Sequence, residues 1–165
     1  MLLRALIFAP AFLAACSGGP SPAGPLGNPA DWGSGLQCTP GRTLADGFYN
    51  LDNSSGQMVT VTRVRLMGGE GQRKTSRAWL MPIYHSNNSS DILGLNYWPV
   101  RWPTWKYRRR IPATIAPHAD VNLVFAQTRT SDHPKAATVR VYYTAGGSLY
   151  TLTEPVRVLV AVRCF

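Results

Sequence analysis

The chain has 165 residues, a usual length for one domain. Its 45% hydrophobic and 15% charged residues exclude a protein that is disordered throughout. Glycine and proline make up 28 residues, about 17% against an average near 12%, which excludes a helical bundle or a coiled coil. Seventeen basic and eight acidic residues give a net charge of +9, which predicts attraction to anions without naming one.

The first fifteen residues have the layout of a secretory signal peptide. One positive residue, Arg4, precedes an apolar run over residues 5–14. This run is about ten residues long and contains Pro10, whereas a helix that crosses a bilayer needs about 20 apolar residues. We therefore predict that residues 1–15 are a signal peptide and not a permanent membrane helix.

The junction that follows reads Leu13-Ala14-Ala15-Cys16. It resembles the lipobox of bacterial lipoproteins. The resemblance implies that Cys16 is acylated, becomes the new N-terminus and anchors the protein to the extracytoplasmic face of a bacterial cell membrane. Residues 16–36 are rich in glycine, proline and serine and are predicted to be a flexible tether. The alternative is an ordinary signal peptide that leaves Cys16 as a spare thiol.

Two further cysteines lie near the ends of the remaining chain. Once the lipid occupies Cys16, Cys38 and Cys164 form an even pair in an oxidising compartment. We predict a disulfide that joins the ends of a folded domain over residues 37–165, and two unpaired thiols are the alternative. No cysteine or histidine spacing is typical of a metal site, so neither a metal nor another cofactor is expected.

Short apolar runs alternate with turn residues from residue 45 onward, without helical periodicity. In the run over 57–67, Val59 and Val61 differ in parity from Val64 and Leu66, which predicts a bulge near Thr62 and Arg63. Residues 145–148 are predicted to be a hairpin turn. Strands are predicted over 48–51, 57–67, 78–84, 92–97, 110–115, 121–125, 139–143, 149–150 and 156–162.

Seven to nine short strands at about ten-residue intervals favour a two-sheet antiparallel sandwich, with an open barrel as the alternative. Residues 48–53, 59–66 and 122–125 resemble segments of immunoglobulin-like domains in bacterial secreted lipoproteins. The fold that this implies is all-β, a single antiparallel immunoglobulin-like β-sandwich. The sequence departs from antibody domains because Cys38 and Cys164 lie at its termini and not around a central tryptophan.

Residues 97–110 combine five aromatic and five basic side chains without an acidic one. Such a surface could stack on rings and pair with anions, so its candidate ligands are an anionic lipid, a wall polymer and single-stranded nucleic acid. Alternatively, the tryptophans fill the core and the arginines protect a solvated sheet edge. The predicted binding surface comprises Trp98, Arg101, Trp102, Trp105, Lys106, Tyr107, Arg108, Arg109 and Arg110.

No catalytic residue is predicted. His85, His118 and His133 lie in separate loops and are interpreted as surface residues. The contiguous residues 131–133 have the side chains of a hydrolase triad, but neighbours in sequence cannot adopt its geometry. We expect a non-enzymatic binding or structural module of the cell envelope, with anionic lipid, wall polymer or an envelope protein as partner. The alternatives are a hydrolase with a loop-borne site and a polyanion-binding protein, and nucleic acid is the least favoured partner.

Overall fold

The computed structural model describes residues 24–27, 36–74, 77–83, 85–86, 89–90, 94–97 and 100–164. The predicted signal peptide, Cys16, most of the predicted tether and Trp98 lie outside these residues. Within them, no helix has the length and hydropathy of a membrane span, and one 3₁₀ helix covers Pro103–Tyr107. The strands are β1 Leu26–Gly27, β2 Leu36–Pro40, β3 Thr43–Asn53, β4 Val59–Gly68, β5 Gln72–Lys74, β6 Trp79–Pro82, β7 His85–Ser86, β8 Ser89–Ser90, β9 Gly94–Tyr97, β10 Arg109–Arg110, β11 Ala113–Ile115, β12 Ala119–Arg129, β13 Ala137–Ala145 and β14 Ser148–Ala161.

The strands form two large sheets, which confirms the predicted all-β fold. Sheet A has the order β1-β3-β12-β6-β10, with β9 also beside β3 and β5 also beside β12. Sheet B has the order β11-β4-β13-β14-β2, and β7 pairs with β8 in a separate hairpin. The prediction of seven to nine strands was too low because six of the fourteen described strands have three residues or fewer.

The prediction of a wholly antiparallel fold was wrong at one edge, where β2 runs parallel to β14. More than a hundred residues separate these strands in the chain, so no hairpin dictates their relative direction. The predicted disulfide is confirmed here, because Cys38 and Cys164 are bonded across 126 residues of sequence. The same end is closed by a hydrogen bond from the Gly41 amide to the Ala161 carbonyl, at 2.9 Å.

The two sheets pack face to face around one apolar core. Strand β13 shows the alternation that this requires, since its odd-numbered residues are buried and its even-numbered residues are half-buried. In sheet A, the rings of Tyr49 and Phe125 stack at 5.7 Å. The buried core residues are Leu26, Tyr49, Leu51, Val59, Val61, Val64, Ala78, Leu80, Ala113, Ile115, Val121, Leu123, Phe125, Val139, Val141, Tyr143, Ala145 and Val158.

Two local predictions made from side-chain parity and turn residues are confirmed. Tyr142 pairs with Arg63 and Tyr143 pairs with Val61, so Thr62 is the extra residue of a bulge in β4. The hairpin between β13 and β14 turns at 146–147, where both glycines have positive φ angles of 54° and 81°.

The described residues 24–27 lie within the predicted tether, and they pack against the folded domain. Leu26 is only 4% exposed and belongs to the main core. Leu26 pairs with Asn53 and Gly27 pairs with Asp52, so the chain arrives from the end of the domain where β3 finishes. We call this the β1 end, formed by the turns over 54–58, 116–118 and 146–147, and we call the opposite end, with Cys38–Cys164, the disulfide end.

Candidate binding surface

The segment after Val100 is shaped by one proline. Pro103 occupies the start of the 3₁₀ helix, where its fixed φ angle and missing amide are well tolerated. The helix ends at Arg108, which is extended, and the chain then pairs with β6 as β10, the last strand of sheet A. Residues 100–110 therefore cover the outer face of sheet A and extend its edge.

The two tryptophans described in this segment hold it against the sheet. Trp102 and Trp105 are half-buried, and Trp105 meets Trp79 edge to face at 5.3 Å between ring centroids. They lie on the outer face of sheet A. The alternative prediction, that the tryptophans fill the core between the sheets, is therefore wrong for these two residues. Their apolar neighbours are Ala45, Met81, Val100 and Val124.

The cations of the segment project into solvent. The Arg108 guanidinium lies 4.7 Å from the Trp105 ring and donates a hydrogen bond of 2.8 Å to the Trp105 carbonyl. The Lys106 ammonium lies 4.9 Å from the ring of Tyr107, which is 50% exposed. Within the described residues, no carboxylate pairs with Arg101, Lys106, Arg108, Arg109 or Arg110, all of which are exposed.

The structure does not bring every predicted surface residue together. Arg110 pairs with Trp79 and shares the outer face of sheet A, whereas Arg109 pairs with Leu80 and points to the opposite face at the sheet edge. Arg109 is placed to discourage pairing with another strand. We call the group on the outer face of sheet A the cation–aromatic strip, which comprises Trp105, Lys106, Tyr107, Arg108 and Arg110.

Sequence reasoning missed a group of buried polar side chains between the sheets. Asp46, Tyr49, Gln127 and Glu154 are each at most 1% exposed. Glu154 has the same parity as Tyr150 and Leu152, which pack against the core, and this was the signal that could have revealed its inward position. Arg157, three residues after Glu154 on the same strand, is exposed, as the alternation of a strand requires.

The environment of two members of this group, Tyr49 and Glu154, favours their protonated forms. Burial raises the pKa of Glu154 to about 8. The pKa of Tyr49 lies well above its ordinary value, first because of burial and then because of the negative charges of Asp46 and Glu154. A neutral Glu154 at neutral pH is the consequence.

Two surface cavities lie at the disulfide end and share Asp132. One has a volume of about 300 Å³ and the other about 560 Å³. Asp46 and Glu154 line neither of them. The smaller cavity is lined by Arg42, Arg129, Thr130, Ser131 and Asp132, and the larger by Asp132, His133, Pro134, Lys135, Leu159, Ala161, Val162 and Arg163.

The two histidines whose side chains are described lie at opposite ends of the domain. His118 is exposed in a turn at the β1 end, and His133 is exposed at the disulfide end. The His85 side chain lies outside the described residues. Asp132 forms an ion pair with Arg129 at 2.7 Å. In the part of the chain that is described, no group of three or more histidine, cysteine or acidic side chains is placed to hold a metal ion.

In comparisons with protein-family models, curated proteins and solved structures, nothing matches this chain.

Proposed function

We propose that this protein is a lipid-anchored, non-enzymatic binding module of the bacterial cell envelope, and that its cation–aromatic strip binds an anionic polymer. The observation that carries the proposal is that Lys106, Arg108 and Arg110 are exposed and no described carboxylate neutralises them. A folded surface that keeps three cations beside aromatic rings, without acidic partners, is suited to oxyanions.

The strip is held in place by the fold, which favours a binding role. Trp105 contacts Trp79 of β6, and Arg108 contacts both the ring and the carbonyl of Trp105. Side chains ordered before binding lose less conformational entropy when a ligand arrives. A binding role is also favoured over hydrolysis because His133 lines the larger surface cavity, whereas the buried carboxylates Asp46 and Glu154 line neither of the two cavities described above.

For the fold, we propose a variant of the immunoglobulin-like sandwich. The order β1-β3-β12-β6 in sheet A corresponds to strands A, B, E and D of such domains, and β4-β13-β14 in sheet B corresponds to C, F and G. The chain departs from that pattern at β11, which follows β6 in sequence yet pairs with β4.

For the anchor, we propose acylation of Cys16. The disulfide between Cys38 and Cys164 supports a non-reducing compartment. Cys16 precedes Gly24 by eight residues, which reach at most about 29 Å at roughly 3.6 Å per residue. Because β1 is paired with β3, an acylated Cys16 within this distance of Gly24 would place the β1 end near the membrane.

The anchor is tested by intact mass. Protein purified from its own membranes should have the mass of residues 16–165 plus acyl chains, and reduction should add two hydrogens. An unacylated mass would remove the anchor from the proposal and leave the binding surface to be tested separately.

Binding is tested with a triple variant of the strip, Lys106→Gln/Arg108→Gln/Arg110→Gln, called the strip variant. Its retention on isolated envelope fractions at low salt should be clearly weaker than that of the native protein. A charge-matched control, called the end variant, neutralises three exposed arginines outside the strip: Arg42→Gln, Arg73→Gln and Arg163→Gln. If both variants lose retention equally, the effect is net charge alone and the strip is not a specific binding surface.

A further inference from the structure

We propose that the outer face of sheet B is a second anion-binding face, and that the domain bridges two segments of a linear polymer of repeated oxyanions. The second face is inferred from its own geometry. The bridging rests on the proposed function, because it also needs the cation–aromatic strip on sheet A.

Four arginines lie on this face. Arg65 on β4 pairs directly with Arg140 on β13, and the bulge in β4 places Arg63 opposite Tyr142 on the same face. Arg157 follows on β14. Directly opposed side chains in an antiparallel sheet lie about 5 Å apart at Cβ, and successive residues on one face of a strand are about 7 Å apart. The four guanidinium groups therefore form one patch across three neighbouring strands.

The patch has no acidic counterpart in the part of the chain that is described. Glu154 is the one acidic residue in the described strands of sheet B, and it is buried between the sheets. Two of the arginines contact neutral neighbours in the described part of the chain, and both contacts are weak: Arg65 lies 6.0 Å from the Tyr142 ring, and Arg140 donates a long hydrogen bond of 3.4 Å to the Thr153 hydroxyl. Their donors stay available to a ligand.

The opposed arginines carry a cost that a ligand would remove. Like charges directly across an antiparallel pair destabilise the sheet, and here Arg65 and Arg140 occupy such a position. A phosphate or carboxylate between them would accept hydrogen bonds from both guanidinium groups, as planar arginine donors favour. The pair is thus unfavourable in the free protein and favourable in a complex with an oxyanion.

The arrangement of the two faces points to a polymer as the occupant. Because sheets A and B pack face to face, their outer faces point in opposite directions. A single planar membrane can touch only one of them, whereas a flexible polymer can contact both, or two polymer segments can bind one domain. The polymer class is defined by its chemistry, a chain with repeated phosphate or carboxylate groups.

The test uses the oxidised mature chain and long-chain polyphosphate as the probe. A sheet-B variant replaces three arginines of the patch: Arg63→Gln, Arg65→Gln and Arg140→Gln. Light scattering should show large assemblies when native protein and polyphosphate are mixed, because each domain joins two segments. The sheet-B variant and the strip variant should each still bind polyphosphate through the remaining face, yet form no large assemblies.

Combining the two sets of substitutions should lower affinity for polyphosphate by more than about a hundredfold. The end variant, which loses the same number of charges as each single-face variant, should still form large assemblies. Thermal unfolding without ligand provides a second readout. The sheet-B variant should melt at a temperature equal to or above that of the native protein, because the like-charge pair is gone.

The outcomes separate the two proposals. If the sheet-B variant still assembles with polyphosphate like the native protein, sheet B is not a binding face, whatever the strip does. If the strip variant binds polyphosphate and envelope fractions normally, the proposed function fails while the sheet-B face can still be judged by its own variant. Assembly with vesicles of phosphatidylethanolamine and phosphatidylglycerol but not with polyphosphate would overturn the polymer as occupant.

Discussion

Glu154 makes the stability of the domain depend on pH. Its carboxyl group lies between the two sheets and is 1% exposed. Burial raises its pKa from 4.5 to about 8. In the unfolded chain the group ionises near its ordinary pKa, so between pH 5 and pH 8 the unfolded state is charged while the folded state keeps the proton. Unfolding releases a proton throughout this range, and stability therefore falls as pH rises.

The magnitude follows from the proton count. One proton released on unfolding lowers the free energy of unfolding by about 1.4 kcal/mol per pH unit. Three pH units between 5 and 8 give a loss of about 4 kcal/mol, which is a large part of a typical domain stability of about 5–15 kcal/mol. Above the folded-state pKa both states are ionised, and the loss from Glu154 stops growing.

The assay is urea unfolding of the oxidised mature chain at pH 5, 6, 7 and 8, compared with the variant Glu154→Gln. The variant keeps the shape of the side chain but cannot ionise. Its free energy of unfolding, relative to that of the native protein, should therefore rise by about 4 kcal/mol from pH 5 to pH 8. Taking the difference between the two proteins cancels the titration of all other groups.

The chain has one other glutamate, which provides a matched control. Glu70 is exposed, and its hydrogen bond and ion pair with Lys135 hold its pKa below the ordinary value. The stability that the Glu70 carboxylate adds to the folded state is therefore fully present above its ordinary pKa and is lost as pH falls through the lowered pKa. The free energy of unfolding of Glu70→Gln should change with pH in parallel with that of the native protein from pH 6 to pH 8. A Glu154→Gln curve that also runs parallel there would refute the reasoning about burial.

Three further changes test the packing. Replacing Cys38 and Cys164 by serine should lower the free energy of unfolding by about 5 kcal/mol, since the bond closes 126 residues of chain. Thermal melting with and without reductant measures this loss. If reduction left the melting curve of the native protein unchanged, the prediction would be contradicted. Leu26→Ala should lower the free energy of unfolding in urea by about 2–3 kcal/mol, because β1 belongs to the core. Leu36→Ala, at an exposed site, is the control. If Leu26→Ala lost no stability, residues 24–27 would be a tether and not part of the core. Trp105→Ala should lower the free energy of unfolding by about 1–3 kcal/mol, because the ring contact with Trp79 is lost. If this variant were as stable as the native protein, the segment over 100–110 would not be packed on sheet A.

The sequence by itself determined the all-β class, the cysteine pairing, the β4 bulge and the glycine hairpin. Each of these depends on a rule that acts over a few residues or on a simple count. The bulge followed from a change of parity between Val61 and Val64, because a strand alternates sides every residue. The disulfide between Cys38 and Cys164 followed from the number of cysteines left after Cys16 was assigned to the lipid.

Only the tertiary structure decided which residues meet across strands. The segment over 97–110 was singled out by composition, yet its pairing with β6 separates Arg109 from Arg110 onto opposite faces. Arg65 and Arg140 lie 75 positions apart in sequence, and nothing local to either one predicts that they face each other. The physical reason is that strand register is set by the packing of two whole sheets, so a shift of one residue would reverse every face.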